Sequence, residues 1–217
     1  MMTKAVIFDM DGVIVDSEPI ESLAWEKVLA EYKRKPVFNS SGLVHEVGEA
    51  SFSDIIERHN LLGEDLEVIR VKKRGFFEDL IKNFLPIPGT KELVKELKKQ
   101  KLKLAIASSR NERQVKLIIK QLGLENKFNV VVGFSEKVRR KPFPDIFLKV
   151  SDDLGLKPSL CVVIEDSGAG VIAGKSAGMK VIAIPNKYTK HQDFAKADKI
   201  VNSLSEITMS VLESLGQ

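Results

Sequence analysis

The 217-residue chain has one cysteine, three histidines and one tryptophan, and it contains no long apolar run. A single cysteine can form neither an intramolecular disulfide nor, by itself, a zinc site. No segment approaches the ~20 apolar residues that a membrane-spanning helix needs. The first apolar stretch is cut short at Asp9, so we expect no signal peptide, no membrane partner and a cytoplasmic location.

The composition is that of a globular protein, with 43% hydrophobic residues, 29% charged residues and a formal net charge of +4. The length allows a full α/β core and a small inserted domain. The positive charge comes from short runs of Lys and Arg, which are typical of solvated helix faces, and we expect no nucleic-acid binding. An anionic small substrate fits the charge equally well. We expect a monomer.

The chain begins with an apolar run, Ala5-Val6-Ile7-Phe8, that is followed at once by Asp9-Met10-Asp11-Gly12. This pattern predicts a buried parallel strand that ends at a carboxylate. Two nearby carboxylates repel each other unless a cation or a shared proton relieves them. The plainer alternative is a strand-end turn in which one aspartate caps a helix.

Apolar periodicity divides the rest of the chain into two parts. Residues 17–85 show only helical patterns, from Ser17 onward, over 50–58 and over 65–84. After Pro86-Ile87-Pro88-Gly89, helices alternate with apolar runs. We predict strands over 5–8, 102–107, 130–132, 161–164 and 181–184, and helices over 90–100, 112–122, 145–154, 169–177 and 204–215. The pattern indicates a doubly wound, mostly parallel, Rossmann-like sheet formed by 1–16 and 86–217, with a helical domain at 17–85.

Polar residues follow three of the predicted strands. In a parallel sheet these strand ends share one edge, so Asp9 and Asp11, Ser108-Ser109 and Glu165-Asp166 should converge on one crevice. Four carboxylates in one place call for a metal, and ligands that are all oxygen favour Mg²⁺. Lys141 could bring a compensating positive charge to the same edge.

A glycine pattern after the fourth strand offers a competing interpretation. Residues 168–173 satisfy G-x-G-x-x-G/A at the start of a helix, which is typical of dinucleotide binding. However, Glu165 and Asp166 would stand where a pyrophosphate must approach, and no acidic residue ends the next strand to bind a ribose hydroxyl. These glycines more simply allow the helix to approach the sheet closely.

Taken in order, four motifs resemble those of the haloacid dehalogenase superfamily phosphotransferases that carry a helical cap after the first motif. The first motif is FDMDGVIVD at 8–16, and the second contains Ser108 in AIASSR. The third contains Lys141 in KPFPDIF, and the fourth contains Glu165-Asp166 in IEDSGAGVIAGKSAGM. The resemblance spans the predicted core from end to end, and the region at 17–85 then corresponds to the cap.

The resemblance implies a role for each matching residue. Asp9 would be the nucleophile that forms an aspartyl-phosphate, and Asp11 the general acid and then the general base. Asp9, the backbone carbonyl of Asp11, Asp166 and Glu165 would hold Mg²⁺. Ser108 and Lys141 would bind the phosphoryl oxygens in the transition state.

Each assignment has a structural alternative. Ser108 could be a helix cap or a strand-end residue, and Arg140 competes with Lys141. The pair Glu165-Asp166 could cap the next helix. Three further residues are candidates to border the phosphate: Ser109, Arg110 and Asn111. Arg110 and Asn111 could instead simply begin the following helix.

Within the family, Asp11 argues against dehalogenases and phosphonate-cleaving enzymes, which leaves phosphatases and phosphomutases. The overall resemblance is to the β-phosphoglucomutase-like subgroup, but Glu21 stands where such mutases carry a histidine. Glu49 stands where they carry an arginine for a second phosphate. We therefore predict a Mg²⁺-dependent phosphatase of a small phosphorylated metabolite such as a sugar phosphate, with a phosphomutase and a catalytically silent phosphoryl-ligand binder as alternatives. Substrate-selecting candidates in the cap are Glu21, His45, Glu49, Lys73, Phe76 and Phe77.

Overall fold

The structure is a computed structural model, and it describes residues 3–38 and 52–216. The chain forms two compact units. Met1–Val15 and Leu85–Gln217 make up the first, called the core unit here, and Asp16–Phe84 makes up the second, called the helical insert.

The core unit is built on a parallel sheet whose strand order is β3-β2-β1-β4-β5-β6 among the described residues. The strands are β1 (Ala5–Phe8), β2 (Lys103–Asn111), β3 (Val130–Phe134), β4 (Cys161–Glu165), β5 (Lys180–Ala183) and β6 (Lys199–Ile200). The chain moves outward from β1 to β3 and then returns to the other side of β1 as β4. The predicted α/β, doubly wound class is confirmed.

Helices connect these strands and also make up the insert. They are α1 (Glu18–Glu31), α2 (Phe52–Arg58), α3 (Leu66–Leu80), α4 (Thr90–Lys99), α5 (Glu112–Gln121), α6 (Asp145–Asp153), α7 (Gly168–Ser176) and α8 (Met209–Ser214). Short 3₁₀ turns lie at Ile81–Asn83, Pro158–Leu160 and Leu204–Glu206.

The central strands are buried on both faces, as continuous apolar runs predict. Every residue of β1 and of β4 is buried, and β1 pairs in register with both neighbours, for example Val6 with Leu104 and with Val162. One hydrophobic cluster on the sheet includes residues of α6 and α7, such as Phe147 and Val171. This packing fixes the strand ends, where the polar residues begin.

Three elements differ most from the sequence-based prediction. Strand β2 continues four residues beyond Ala107, with a register shift against β3 between Ala107 and Asn111. Strand β6 was not predicted, because its two residues are exposed and show no apolar run. The helix predicted over 204–215 is instead a 3₁₀ turn followed by the shorter α8.

The helical insert has its own apolar core. Side chains of α1, α2 and α3 and of the α2–α3 connection form it, and they are Trp25, Val28, Leu29, Ile55, Ile56, Leu61 and Ile69. Helix α3 begins at Asp65, whose carboxylate accepts hydrogen bonds from the N–H groups of Glu67 and Val68. Residues 16–38 and 52–84 contain no strand.

Cys161 is a free, buried residue at the start of β4. Burial raises the pKa of its thiol to about 11. Over the described residues, no helix has both the length and the apolar character of a membrane span.

Candidate active site

The candidate active site lies at the carboxyl ends of β1 and β4, the neighbouring strands between which the strand order reverses. Asp9 directly follows β1, Glu165 is the last residue of β4, and Asp166 follows it. Their exposed fractions are 7%, 1% and 3%. Such switch points are where open α/β sheets bind ligands.

Lys141 joins two of these carboxylates. Its Nζ lies 2.5 Å from Asp9 Oδ1 and 2.5 Å from Glu165 Oε1, and it also donates to the carbonyl of Ala107 at 3.3 Å. The competing candidate, Arg140, is exposed and places its guanidinium 4.0 Å from the ring centroid of Phe134. The structure therefore brings Lys141, and not Arg140, to the buried carboxylates.

Burial and like charge together perturb the acidic groups. Burial raises the pKa of Asp9 to about 7; the ammonium of Lys141 opposes this shift, and the carboxylates of Glu165 and Asp11 add to it. Burial also raises the pKa of Asp166 well above its usual value, with further contributions from Glu165 and Asp9. Burial opposes the charge on Lys141, but Asp9 and Glu165 outweigh it and raise the pKa of that ammonium. The site therefore holds more negative charge than its own cations compensate.

The local chain shape makes room for these carboxylates. The N–H and the hydroxyl of Ser167 both donate to Glu165 Oε2 at 2.9 Å. A Cβ at Gly170 would lie 1.8 Å from Glu165 Oε1, so only glycine leaves space for that carboxylate. At Gly12, where φ is +78°, a Cβ would lie 2.0 Å from Asp166 Oδ2.

Asn186 is a site residue that the sequence analysis did not select. Its side-chain amide donates to Asp166 Oδ2 at 2.8 Å, while its Oδ1 accepts from the N–H of Tyr188. It follows β5 at the same edge of the sheet as Asp9 and Asp166. Its position after a predicted strand could have marked Asn186 as a site residue, but an uncharged side chain after Pro185 gave little reason to select it.

Asp11 forms an ion pair with Arg110. The Nε and Nη2 atoms of Arg110 lie 2.8 Å and 2.7 Å from Asp11 Oδ1. Ser108 is fully buried, and its Oγ accepts the N–H of Arg110 at 3.1 Å. Arg110 thus lies in the site, in contact with a carboxylate.

The neighbouring candidates are placed differently. Asn111 caps α5, since its Oδ1 accepts the N–H of Gln114 at 2.9 Å and its amide donates to Gln114 Oε1. This is the helix-start alternative that the sequence left open. Ser109 is exposed on β2.

Three candidates in the helical insert, Glu21, Lys73 and Phe77, lie close together. Glu21 is buried and pairs with Lys73, whose ammonium also lies 5.4 Å from the ring centroid of Phe77. Phe77 is fully buried and Phe76 partly buried. His45 and Glu49 lie outside the described residues.

The donor chemistry of the site fits a divalent metal. Asp9, Asp11, Glu165 and Asp166 oppose two cations, Lys141 and Arg110, which leaves a formal excess of two negative charges and only oxygen ligands. The side chains are not gathered around one point, however: in the described part of the chain no three acidic, histidine or cysteine side chains are grouped as metal ligands. Lys141 lies between two of the carboxylates, and Asn186 binds a third.

Comparison with known proteins places these features in a family. A family model described as haloacid dehalogenase-like hydrolase matches residues 3–178. A phosphorylated carbohydrates phosphatase from Thermotoga maritima is 35% identical over 185 residues, 82% of this chain and 83% of that protein. The β-phosphoglucomutase of Bacillus subtilis is 32% identical over 220 residues, 96% of this chain and 93% of that enzyme.

Two further matches show the extent of the similarity. The bifunctional riboflavin kinase/FMN phosphatase of Arabidopsis thaliana is 30% identical over 96% of this chain, which spans only 55% of that protein. The crystal structure of CbbY from Rhodobacter sphaeroides in complex with phosphate matches with a TM-score of 0.79 at 25% identity, over 94% of this chain and 96% of that chain.

Proposed function

Because the chain belongs to the haloacid dehalogenase-like hydrolases, we propose that it hydrolyses small phosphate monoesters such as sugar phosphates. Proteins similar to this chain include a phosphatase and a phosphomutase. The observation that carries this proposal is the buried Asp9 carboxylate, held by Lys141 among further carboxylates at the switch point of the sheet. The phosphorylated carbohydrates phosphatase, at 35% identity, supports the substrate class.

In the proposed reaction a carboxylate oxygen of Asp9 attacks phosphorus, and the bond from phosphorus to the ester oxygen breaks. The electron pair of that bond stays on the leaving oxygen, which takes a proton from Asp11. Water then attacks the aspartyl-phosphate, Asp11 takes a proton from it, and inorganic phosphate leaves as the Asp9 carboxylate is restored. Lys141 and Ser108 would hold phosphoryl oxygens, because a cation and a buried hydroxyl stabilise the charge that spreads over them.

Mg²⁺ belongs to this proposal through the donor set. Asp9, the carbonyl of Asp11, Glu165 and Asp166 are the groups that would hold it, and when bound it would neutralise charge on the nucleophile and on the phosphoryl oxygens. The negative excess in the site supports this assignment.

The test is phosphate release from a panel of sugar, nucleotide and small-acid phosphates, with and without Mg²⁺. We expect release that depends on Mg²⁺ and that the D9N variant lacks. D152N, which makes the same change at an exposed position on α6, should retain wild-type rates. Turnover in D9N would refute the nucleophile assignment, and an inactive wild type would refute the phosphatase proposal.

A phosphomutase is the second candidate, supported by the 32% identity with the B. subtilis β-phosphoglucomutase. It predicts interconversion of sugar-phosphate isomers with a bisphosphate activator and little net release of phosphate. Glu21 and Glu49 are acids where the mutase pattern has a histidine and an arginine, and a carboxylate would repel a second phosphate. That difference favours the phosphatase. Selection of the substrate by the helical insert, a monomeric state and a cytoplasmic location stay predictions from the sequence.

A further inference from the structure

The side-chain amide of Asn186 joins the loop after β5 to the buried carboxylate of Asp166. Its Nδ2 donates to Asp166 Oδ2 at 2.8 Å, and its Oδ1 accepts the backbone N–H of Tyr188 at 2.8 Å. A backbone N–H can only donate, so the contact with Tyr188 decides which way round the amide lies. The donating end of the amide therefore faces Asp166.

The backbone of Asn186 is also held in place. Its N–H donates to Oγ1 of Thr189 at 3.1 Å, and its carbonyl accepts the N–H groups of Thr189 and Lys190 at 3.1 Å and 2.9 Å. Thr189 is fully buried, which anchors this turn in the core unit. Because both backbone groups of Asn186 are engaged, its amide reaches Asp166 from a fixed position.

Gly12 leaves the space in which the amide and the carboxylate meet. A Cβ at Gly12 would lie 2.0 Å from Asp166 Oδ2 and 2.8 Å from Asn186 Nδ2, so both atoms of the hydrogen bond lie against this glycine. Asp166 is only 3% exposed, and a buried hydrogen bond meets little competition from water. The contact is therefore built into the site from three separate parts of the chain.

We propose that Asn186 is a positioning residue for the metal site, where it fixes the rotation of the Asp166 carboxylate and so makes it a preformed ligand for Mg²⁺. The inference rests on the proposed function, in which Asp166 is one of the groups that would hold Mg²⁺. Asn186 acts through Asp166 and is not a ligand itself, because Tyr188 engages its Oδ1 and an amide nitrogen offers no free electron pair to a cation. Hydrogen bonds of this kind orient ligating carboxylates in metal sites.

This role predicts a difference between two cations. Mg²⁺ requires short distances and near-ideal octahedral geometry, whereas Ca²⁺ accepts longer distances and irregular arrangements of ligands. Loss of the contact from Asn186 should therefore weaken the binding of Mg²⁺ more than the binding of Ca²⁺. A residue that only stabilises the loop would weaken the binding of both cations by the same factor.

The experiment measures the dissociation constants of Mg²⁺ and Ca²⁺ by isothermal titration calorimetry of the full chain, after EDTA treatment and removal of the EDTA. N186A is the test variant, and N202A, the same change at an exposed asparagine after β6, is the matched control. We expect N186A to raise the Kd of Mg²⁺ by about tenfold and the Kd of Ca²⁺ by a smaller factor. N202A should change neither.

A second variant keeps the outcome decisive if N186A does not fold. N186S retains a side-chain oxygen for the N–H of Tyr188 but is too short to reach Asp166, and the same selective loss of Mg²⁺ binding should appear. Equal losses for both cations, or no loss, overturn the positioning role. A wild type that binds Mg²⁺ but releases no phosphate refutes the phosphatase proposal alone, whereas a wild type that binds no Mg²⁺ overturns the metal assignment and this inference with it.

Discussion

Gly170 carries only a hydrogen atom where other residues carry a Cβ. The carboxylate of Glu165 fills the space that this leaves. Gly174, one turn later on α7, has a different neighbour, since a Cβ there would lie 2.7 Å from Val181 Cγ2. Gly174 lies just outside the 168–173 pattern and serves the close packing of helix on sheet that the sequence analysis expected of the glycines within it. Gly170 serves the site itself.

We predict that alanine lowers activity at one helical glycine and raises stability at another. G170A should displace Glu165 and lower kcat/KM by at least about tenfold, as loss of a supporting contact at a metal site commonly does. G75A, on α3 where a Cβ meets nothing within 4 Å, should raise the free energy of unfolding by about 0.5–1 kcal/mol without changing activity. Urea unfolding and phosphate-release assays test both. Unchanged activity in G170A would show that the site tolerates movement of Glu165.

Single residues also show what the sequence could not reveal. Charged residues at strand ends marked Asp9, Glu165 and Asp166, because charge next to an apolar run is unusual. The hydrogen bonds from Asn186 to Asp166 and from Arg110 to Asp11 could not be predicted in this way. A hydrogen bond between residues far apart in the chain depends on side-chain rotamers and on local backbone shape. Spacing alone carries no information on either.

At the scale of elements, four helices whose first turns the structure describes begin with a side-chain cap that satisfies N–H groups of that turn. The capping residues are Asp65, Asn111, Ser167 and Thr208. Asp65 also places a negative charge at the positive end of the helix dipole. The start of α3 is therefore fixed by one side chain.

We predict that D65A lowers the free energy of unfolding by about 1 kcal/mol, the usual cost of losing an N-cap. D79A removes an exposed aspartate from the last turn of the same helix, where a negative charge opposes the dipole, and should leave stability unchanged or raise it by a few tenths of a kcal/mol. Chemical denaturation of both variants gives the comparison. An equal loss in both would mean that helical propensity, and not the cap, governs α3.

The elements that the sequence predicted well are those with strong apolar periodicity. Strands β1 and β4 are continuous apolar runs in the sequence and are buried throughout in the structure. The end of β2 was missed because Ser108 to Asn111 are polar, and their strand conformation depends on the neighbouring β3 rather than on their own composition. Strand β6 is equally dependent on its neighbour, β5, and no local pattern could reveal it.

At the scale of the whole molecule, a chain with a formal charge of +4 concentrates negative charge at one edge of its sheet. The topology explains how the sequence could predict this concentration: parallel strands bring distant strand ends together whatever the loops between them. The arrangement inside the site, with Lys141 between Asp9 and Glu165, depended on a loop path that no pattern described.

The raised pKa values of Asp9 and Asp166 predict how stability depends on pH. Their folded pKa values lie above the unfolded values, so the folded, metal-free protein binds more protons than the unfolded chain between those limits. This contribution is fully present below the unfolded pKa of about 3.8 and is lost as the pH rises through the folded pKa, which is about 7 for Asp9.

We therefore expect the Tm of the metal-free protein to fall between pH 5 and pH 8. Added Mg²⁺ should raise the Tm more at pH 8 than at pH 5, because ionised carboxylates bind it. Thermal unfolding with EDTA or with Mg²⁺ measures both effects, and D9N should show a shallower fall with pH. A Tm that is equal at both pH values in EDTA would contradict the assigned charge excess.

The chain leaves the core unit and returns to it at one point. Val15 pairs with Pro86 in an isolated antiparallel bridge, and the N–H of Ile87 donates to the carbonyl of Ile14 at 2.8 Å. For the core unit, the helical insert is therefore a loop whose two ends are held together by backbone contacts. Since each doubling of the length of a flexible loop costs only about 0.6 kcal/mol, a longer or shorter excursion at this point should cost the sheet and its candidate active site little stability.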